Sequence, residues 1–122
     1  MNRLTEWAKA IEEYECMDRD YNNPGGLRYS PFEAGKRNGF AWFYTYEEGW
    51  KGLIHQLTIA CTGRSRYYKS TMTLIEFFRV YAPRYDFNDP DRYAKTVAIK
   101  LNVSPDIQIK ELYSSVPSES GA

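Results

Sequence analysis

The sequence predicts a single, mainly helical domain of the α+β class, with a small β-hairpin region after its first helix. Apolar residues recur at helical spacing in several segments, and helix start signals precede most of these segments. One long turn-rich stretch leads into a short run of large aromatic side chains, which is typical of a strand. A length of 122 residues fits one domain with its own hydrophobic core.

The first helix is predicted over residues 2–17. The residues of its apolar stripe are Leu4, Trp7, Ala8 and Ile11. Glu15 lies four residues after Ile11, so it falls beside this stripe near the end of the helix. Because the C-terminal end of a helix dipole disfavours negative charge, we expect the pKa of a carboxyl group there to be raised. We expect the helix to run on through Cys16 for a residue or two.

Residues 18–39 combine Asp, Asn, Pro, Ser and Gly in one long loop. Loops of this length in compact domains are often functional. Residues 40–44 follow with four aromatic side chains among five positions, which predicts a short strand.

The remaining elements are predicted as helices. Thr45 with Glu48, and Thr73 with Glu76, have the spacing of a capping box, and Asp89 precedes a proline at the first helical position. Gly63 is expected to end the second helix, and the third helix stops before Pro83. Ser104 and Pro105 repeat the start signal and predict a last short helix towards Leu112. The domain is therefore predicted over residues 1–113, with a disordered tail over residues 114–122.

The composition excludes several classes of protein. Sixteen basic and sixteen acidic residues give a formal net charge of zero, which argues against nucleic-acid or membrane binding over the whole surface. No segment is apolar enough for a transmembrane helix or a signal peptide, so we expect a protein made in the cytoplasm without a signal peptide. His55, Cys16 and Cys61 lack the spacing of a metal site, and no metal or other cofactor is expected. Cys16 is expected to be a small buried residue.

An acidic residue on an inner helix face, an Asn- and Gly-rich turn and an aromatic strand suit the hydrolysis of a glycosidic bond. That reaction needs one carboxyl group that stays protonated near neutral pH, and Glu15 is the candidate general acid. The pattern alone favours the simpler interpretation, in which Glu15 is the exposed last residue of a fraying helix. Asp18 and Asp20 are candidates for a second carboxylate, with Asp20 assigned to catalysis. The candidate substrate-binding residues are Asn22, Asn23, Gly26, Arg28, Tyr29, Phe40, Trp42 and Tyr44. Arg28 has a second interpretation, in which it binds carbonyl groups and fixes the turn.

The same residues carry a resemblance to a known family. The matching segments are residues 7–15, 21–29, 39–43, 47–53, 73–83, 88–94 and 101–106. Taken in this order, they resemble a family of phage and bacterial lysozyme-like peptidoglycan glycosidases with the pattern "NNPGNLRY" followed by "GFAxFxSxEAGW". The turn is also similar to that of autolysin-type glucosaminidases. This chain has Cys16 where the family has glycine after its catalytic glutamate, and Gly26 where the family has a third asparagine.

The resemblance implies a lysozyme-like fold, in which a helical domain carries a small β-hairpin lip beside a cleft. It implies cleavage of β-1,4 bonds in peptidoglycan by a muramidase, a lytic transglycosylase or a glucosaminidase, with Glu15 as general acid. The expected partner is the glycan strand, bound by a monomer without nucleic acid or membrane. The protein would act at the cell wall and reach it through phage lysis, a virion or a non-standard export route.

Two other functions remain open. The first is a catalytically inactive lysozyme-like protein that serves as a virion structural or wall-binding component. The second rests on residues 64–69, a basic and aromatic stretch that suits single-stranded nucleic acid. The same stretch also suits a cleft wall that contacts the acidic stem peptides of peptidoglycan, or an exposed connector between helices.

Overall fold

A computed structural model describes residues 2–114 of the chain and confirms a mainly helical domain with a small antiparallel hairpin. Within that range the α-helices are α1 (Leu4–Glu15), α2 (Tyr46–Cys61), α3 (Leu74–Tyr81), α4 (Pro90–Leu101) and α5 (Ile109–Ser114). The strands are β1 (Gly35–Arg37) and β2 (Phe40–Trp42), and short 3₁₀ turns cover Arg19–Tyr21 and Arg84–Asp86. The predicted tail falls almost wholly on residues 115–122, which lie outside the described residues.

Helix α1 is shorter than predicted at both ends. Its predicted stripe is buried, but the helix ends at Glu15. Cys16 adopts the left-handed conformation with φ of 48°, and its N–H donates to the carbonyl of Glu12. Cys16 therefore ends the helix in a conformation that favours glycine, because a β-carbon makes this conformation less favourable. The expectation that Cys16 is buried is also wrong, because its side chain is exposed.

The predicted start signals of three helices are confirmed as side-chain caps. The Thr45 hydroxyl accepts from the N–H of Glu48, and Thr73 and Glu76 form a complete capping box. Asp89 caps the N–H of Arg92, with Pro90 at the first helical position. These signals work locally because each cap satisfies backbone N–H groups that the helix itself leaves without a partner.

The predicted start of the last helix at Ser104 and Pro105 is wrong. The Ser104 hydroxyl accepts from the N–H of Asp106 in a turn, and α5 begins only at Ile109. The intervening residues instead pair with the start of α3: Gln108 bridges to Thr73, and the carbonyl of Ile107 accepts from the N–H of Leu74. A tertiary contact thus uses the backbone groups that a helix would have needed.

The hydrophobic core lies between the helices and combines Leu, Ile and Ala side chains with several large aromatic rings. Trp7, Phe77 and Phe78 are fully buried, and Tyr68 stacks on Phe77 with ring centroids 4.6 Å apart. A smaller cluster of Leu27, Ala41 and Phe43 fills the space beneath the hairpin, where Tyr81 packs against it. Tyr81 belongs to both clusters, and it therefore joins the hairpin region to the helical core.

Candidate functional site

A cleft of about 830 Å³ opens between the hairpin region and the helical core. One side is formed by residues 26–29 and Phe40, and the opposite side by α2 and residues 64–68. The end of α3 and the segment that follows it close the third side. The volume falls within the usual range of small-molecule sites.

Glu15 lies in this cleft, as the sequence predicts. The α1 helix ends there, and the carboxylate Oε2 accepts a hydrogen bond of 2.9 Å from the hydroxyl of Tyr93. The other carboxyl oxygen faces Gly26, where a β-carbon would lie 2.5 Å from Oε1. Gly26 also has φ of +61°, a conformation that side chains rarely adopt. The turn therefore brings bare backbone against the carboxyl group, and only glycine leaves enough space for it.

Burial raises the pKa of the Glu15 carboxyl, and the hydrogen bond from Tyr93 offsets part of this effect. The direction agrees with the expectation from the sequence, and the main cause is burial on the inner face of the helix, with no contribution from the helix dipole among the causes. Burial also raises the pKa of Tyr93 and of Tyr81, and the Glu15 charge contributes to both. Tyr93 therefore stays a neutral hydrogen-bond donor to Glu15 throughout the physiological pH range.

A layer of aromatic rings holds this pair in place. Tyr93 stacks between Tyr14 and Phe78, with centroid distances of 3.8 Å and 4.2 Å. The Tyr81 ring meets Tyr93 edge-on, and its hydroxyl donates to the carbonyl of Gly25 at 2.6 Å. From the sequence, Tyr93 and Tyr81 are predicted only as apolar positions of helices. Helical periodicity does not show that the Tyr93 hydroxyl contacts Glu15 or that the Tyr81 hydroxyl contacts the turn.

The two asparagines of the turn do not line the cleft. Asn23 is only 2% exposed, and its side-chain amide donates to the carbonyls of Leu27 and Ala41 and accepts from the N–H of Leu27. Asn22 donates to the carbonyl of Phe43 from the other side of the turn. Both side chains therefore hold the turn against the hairpin, and the prediction that they bind substrate in this cleft is wrong.

Asp20 also lies away from the cleft. Its side chain is exposed, and its backbone carbonyl accepts from Arg37. Asp18 caps the 3₁₀ turn by accepting from the N–H of Asp20. The carboxylate that does lie in the cleft with Glu15 is Asp86, which no motif in the sequence indicates. Its side chain pairs with Arg28 at 3.6 Å.

The predicted aromatic and basic residues divide between the cleft and the outer face of the hairpin. Phe40 and Tyr29 line the cleft, and the Arg28 guanidinium stacks over Phe40 at 4.5 Å. Trp42 instead packs under Arg37 at 4.3 Å and meets Tyr44 edge-on, and neither ring lines the cleft. Phe40 and Trp42 lie two positions apart in β2 and so share one face of the strand, but only Phe40 lines the cleft.

Residues 64–68, which follow α2, form one wall of the cleft. Of the three interpretations that the sequence leaves open, the structure therefore agrees with the cleft wall. Arg64, Arg66 and Tyr67 are exposed residues of the cleft lining, and Tyr68 is buried beneath them. His55 also reaches the cleft and packs edge-on against Phe32. The periodicity of the sequence does not reveal this wall, because the segment comes to face Glu15 only once the helices have packed into the domain.

Comparison of the chain with protein-family models, curated proteins and solved structures finds no match. Among residues 2–114, no group of three or more His, Cys, Asp or Glu side chains has the arrangement of a metal site. In the same part of the chain, no helix has the length and apolar character needed to cross a bilayer. The features of this chain that bear on function are therefore the cleft and Glu15.

Proposed function

We propose that the protein is a peptidoglycan-cleaving glycosidase of lysozyme-like fold, with Glu15 as its general acid. The observation that carries the proposal is a half-buried carboxyl group with a raised pKa at the bottom of an open cleft. Such a group keeps its proton closer to neutral pH than an ordinary glutamate does, so it can donate that proton to the oxygen of a glycosidic bond.

The surroundings of Glu15 support this role. Tyr93 fixes one carboxyl oxygen, which leaves the oxygen beside Gly26 to face the substrate. Tyr29, Phe40 and Tyr67 give the cleft aromatic surfaces suited to sugar rings. The helical domain with a hairpin beside the cleft also agrees with the architecture that the family resemblance implies.

The cleft offers two routes for the second half of the reaction. In the first, Asp86 acts as the second carboxylate, although its ion pair with Arg28 already engages its charge. In the second, a hydroxyl group of the substrate attacks intramolecularly, as in lytic transglycosylases, and Glu15 alone suffices. Asp20 does not enter either route because it lies outside the cleft.

Mass analysis of the products from purified peptidoglycan tests the proposal. We expect wild-type protein to release muropeptides and Glu15→Gln to lose about a hundredfold to ten-thousandfold in rate. Glu13→Gln is the matched control, because Glu13 lies on the same helix but pairs with Lys100 away from the cleft. Products lighter by one water indicate intramolecular attack, and hydrated products indicate hydrolysis.

Asp86→Asn separates the two routes. Loss of activity in this variant supports a second carboxylate, and retained activity supports intramolecular attack. If wild-type protein releases nothing, or if Glu15→Gln is as active as wild type, the enzymatic proposal fails. Binding to peptidoglycan without cleavage then favours a virion structural or wall-binding protein. An active protein would reach the cell wall through phage lysis, a virion or non-standard export.

A further inference from the structure

Hydrogen bonds to the end of α2 and to the Ser65 side chain hold the wall of residues 64–68. Gly63 ends α2 with φ of +75°, and the N–H of Arg64 donates back to the carbonyl of Ile59 at 3.0 Å. The Ser65 hydroxyl then accepts from the N–H groups of Tyr67 and Tyr68 at 3.0 Å and 3.2 Å. The wall therefore presents its exposed side chains to the cleft from a fixed turn.

Buried Tyr68 anchors this turn to the core. Its ring is only 7% exposed and stacks on Phe77. The next residue towards the N-terminus, Tyr67, is 66% exposed and lines the cleft. A preorganised support of this kind lowers the entropic cost of binding a ligand.

The charges of the cleft do not balance. Its lining contains the carboxyl groups of Glu15 and Asp86 and the guanidinium groups of Arg28, Arg64 and Arg66. Asp86 is engaged by Arg28. Arg64 donates to the hydroxyl of Thr62, and among residues 2–114 neither Arg64 nor Arg66 has a carboxylate partner. Two cations on a fixed wall thus remain available to an anionic ligand.

We propose that Arg64 and Arg66 form a subsite for carboxylate groups attached to the glycan, with Tyr67 beside them as a surface for a sugar ring. Guanidinium groups bind carboxylates through paired N–H donors, which suits a subsite for an acidic substituent or an attached acidic peptide. The inference rests on the proposed function and deepens it, because it selects carboxylate-bearing glycans over neutral β-1,4-linked ones.

The test measures binding by titration calorimetry in the Glu15→Gln background, in which cleavage is slowed enough for binding to be measured. The ligands are a peptidoglycan tetrasaccharide with its stem-peptide carboxylates and the same fragment with those carboxylates amidated. We expect Arg64→Gln with Arg66→Gln to weaken binding of the acidic fragment about tenfold at low salt. The amidated fragment should bind weakly to both proteins. Arg92→Gln is the matched control, since Arg92 is an exposed arginine on α4 outside the cleft lining.

Three results would overturn the subsite: equal affinity for the acidic and amidated fragments, no effect of the arginine substitutions, or no binding of either fragment. Tighter binding of a single-stranded oligonucleotide, lost in the arginine variant, would assign the wall to nucleic acid instead. Arg64→Lys with Arg66→Lys, which keeps the charge, should restore part of the affinity. Cleavage by wild-type protein is measured separately. Selective binding without cleavage would refute the proposed reaction but not the subsite, whereas cleavage without selective binding would refute the subsite but not the reaction.

Discussion

Glu15 and Asn23 are two polar side chains shielded from water beside the same turn, but they differ in how many hydrogen bonds the protein gives them. Asn23 uses both amide protons and its oxygen in hydrogen bonds to the backbone. Glu15 receives one hydrogen bond from the described residues, and burial raises its pKa. Because a buried polar group is stable only when its hydrogen-bonding capacity is satisfied, Asn23 fits a structural role and Glu15 fits a reactive one.

The largest expected effect comes from removing the hydrogen bonds of Asn23, the side chain with the structural role. Asn23→Ala removes three buried hydrogen bonds and takes away the partner of the Ala41 carbonyl and of the Leu27 N–H, whereas the Leu27 carbonyl keeps its bond from the N–H of Ala41. We expect a loss of about 3 kcal/mol in the free energy of unfolding. Urea unfolding monitored by circular dichroism measures it. A loss no greater than that of an exposed Asn38→Ala variant would contradict the structural role.

The next largest effect is expected from a change at Gly26, which lies against the Glu15 carboxyl group. In Gly26→Ala the new β-carbon would collide with the Glu15 carboxyl, so we expect about a hundredfold loss of glycosidase activity. Gly63→Ala is the matched control, because Gly63 also has a positive φ but has open space where a β-carbon would lie. It should lose about 1 kcal/mol of stability with little change in activity. Equal losses of activity in both variants would show that backbone strain alone is responsible.

Asn22→Ala should have a smaller effect than Asn23→Ala. It removes one half-buried hydrogen bond to the carbonyl of Phe43, and we expect a loss of about 1 kcal/mol in unfolding free energy. Activity per folded molecule should change little, because Asn22 does not line the cleft. A strong loss of activity at unchanged stability would instead restore Asn22 to substrate binding.

The smallest expected effect is a pH-dependent gain in stability for Glu15→Gln. A carboxyl whose pKa is raised on folding contributes its full stability below its unfolded pKa, and this contribution is lost as the pH rises through the folded pKa. The glutamine variant lacks that loss, so its stability relative to wild type should increase between pH 4 and pH 8. Urea unfolding at the two pH values provides the comparison. A constant difference would mean that the folded protein does not perturb this carboxyl.

Helix limits were predictable where the signal is local. The caps at Thr45, Thr73 and Asp89 act on backbone groups within one turn, so the chain identifies them before any tertiary contact exists. The start at Ser104 failed because pairing with α3 uses the backbone there. Cys16 shows the same limit, since its left-handed conformation has no distinctive signature in the residue type.

By itself, the sequence determined the helical class, the place of the hairpin region and Glu15 as the inner-facing acid of the first helix. Only the tertiary structure decided which neighbours that acid has. The turn directs Asn22 and Asn23 towards the hairpin and Gly26 towards the carboxyl, while Tyr93, Asp86 and the wall at residues 64–68 arrive from distant segments. The reason is physical: helix periodicity and capping depend on residues a few positions apart, whereas burial, pKa and cleft geometry depend on the packing of the whole chain.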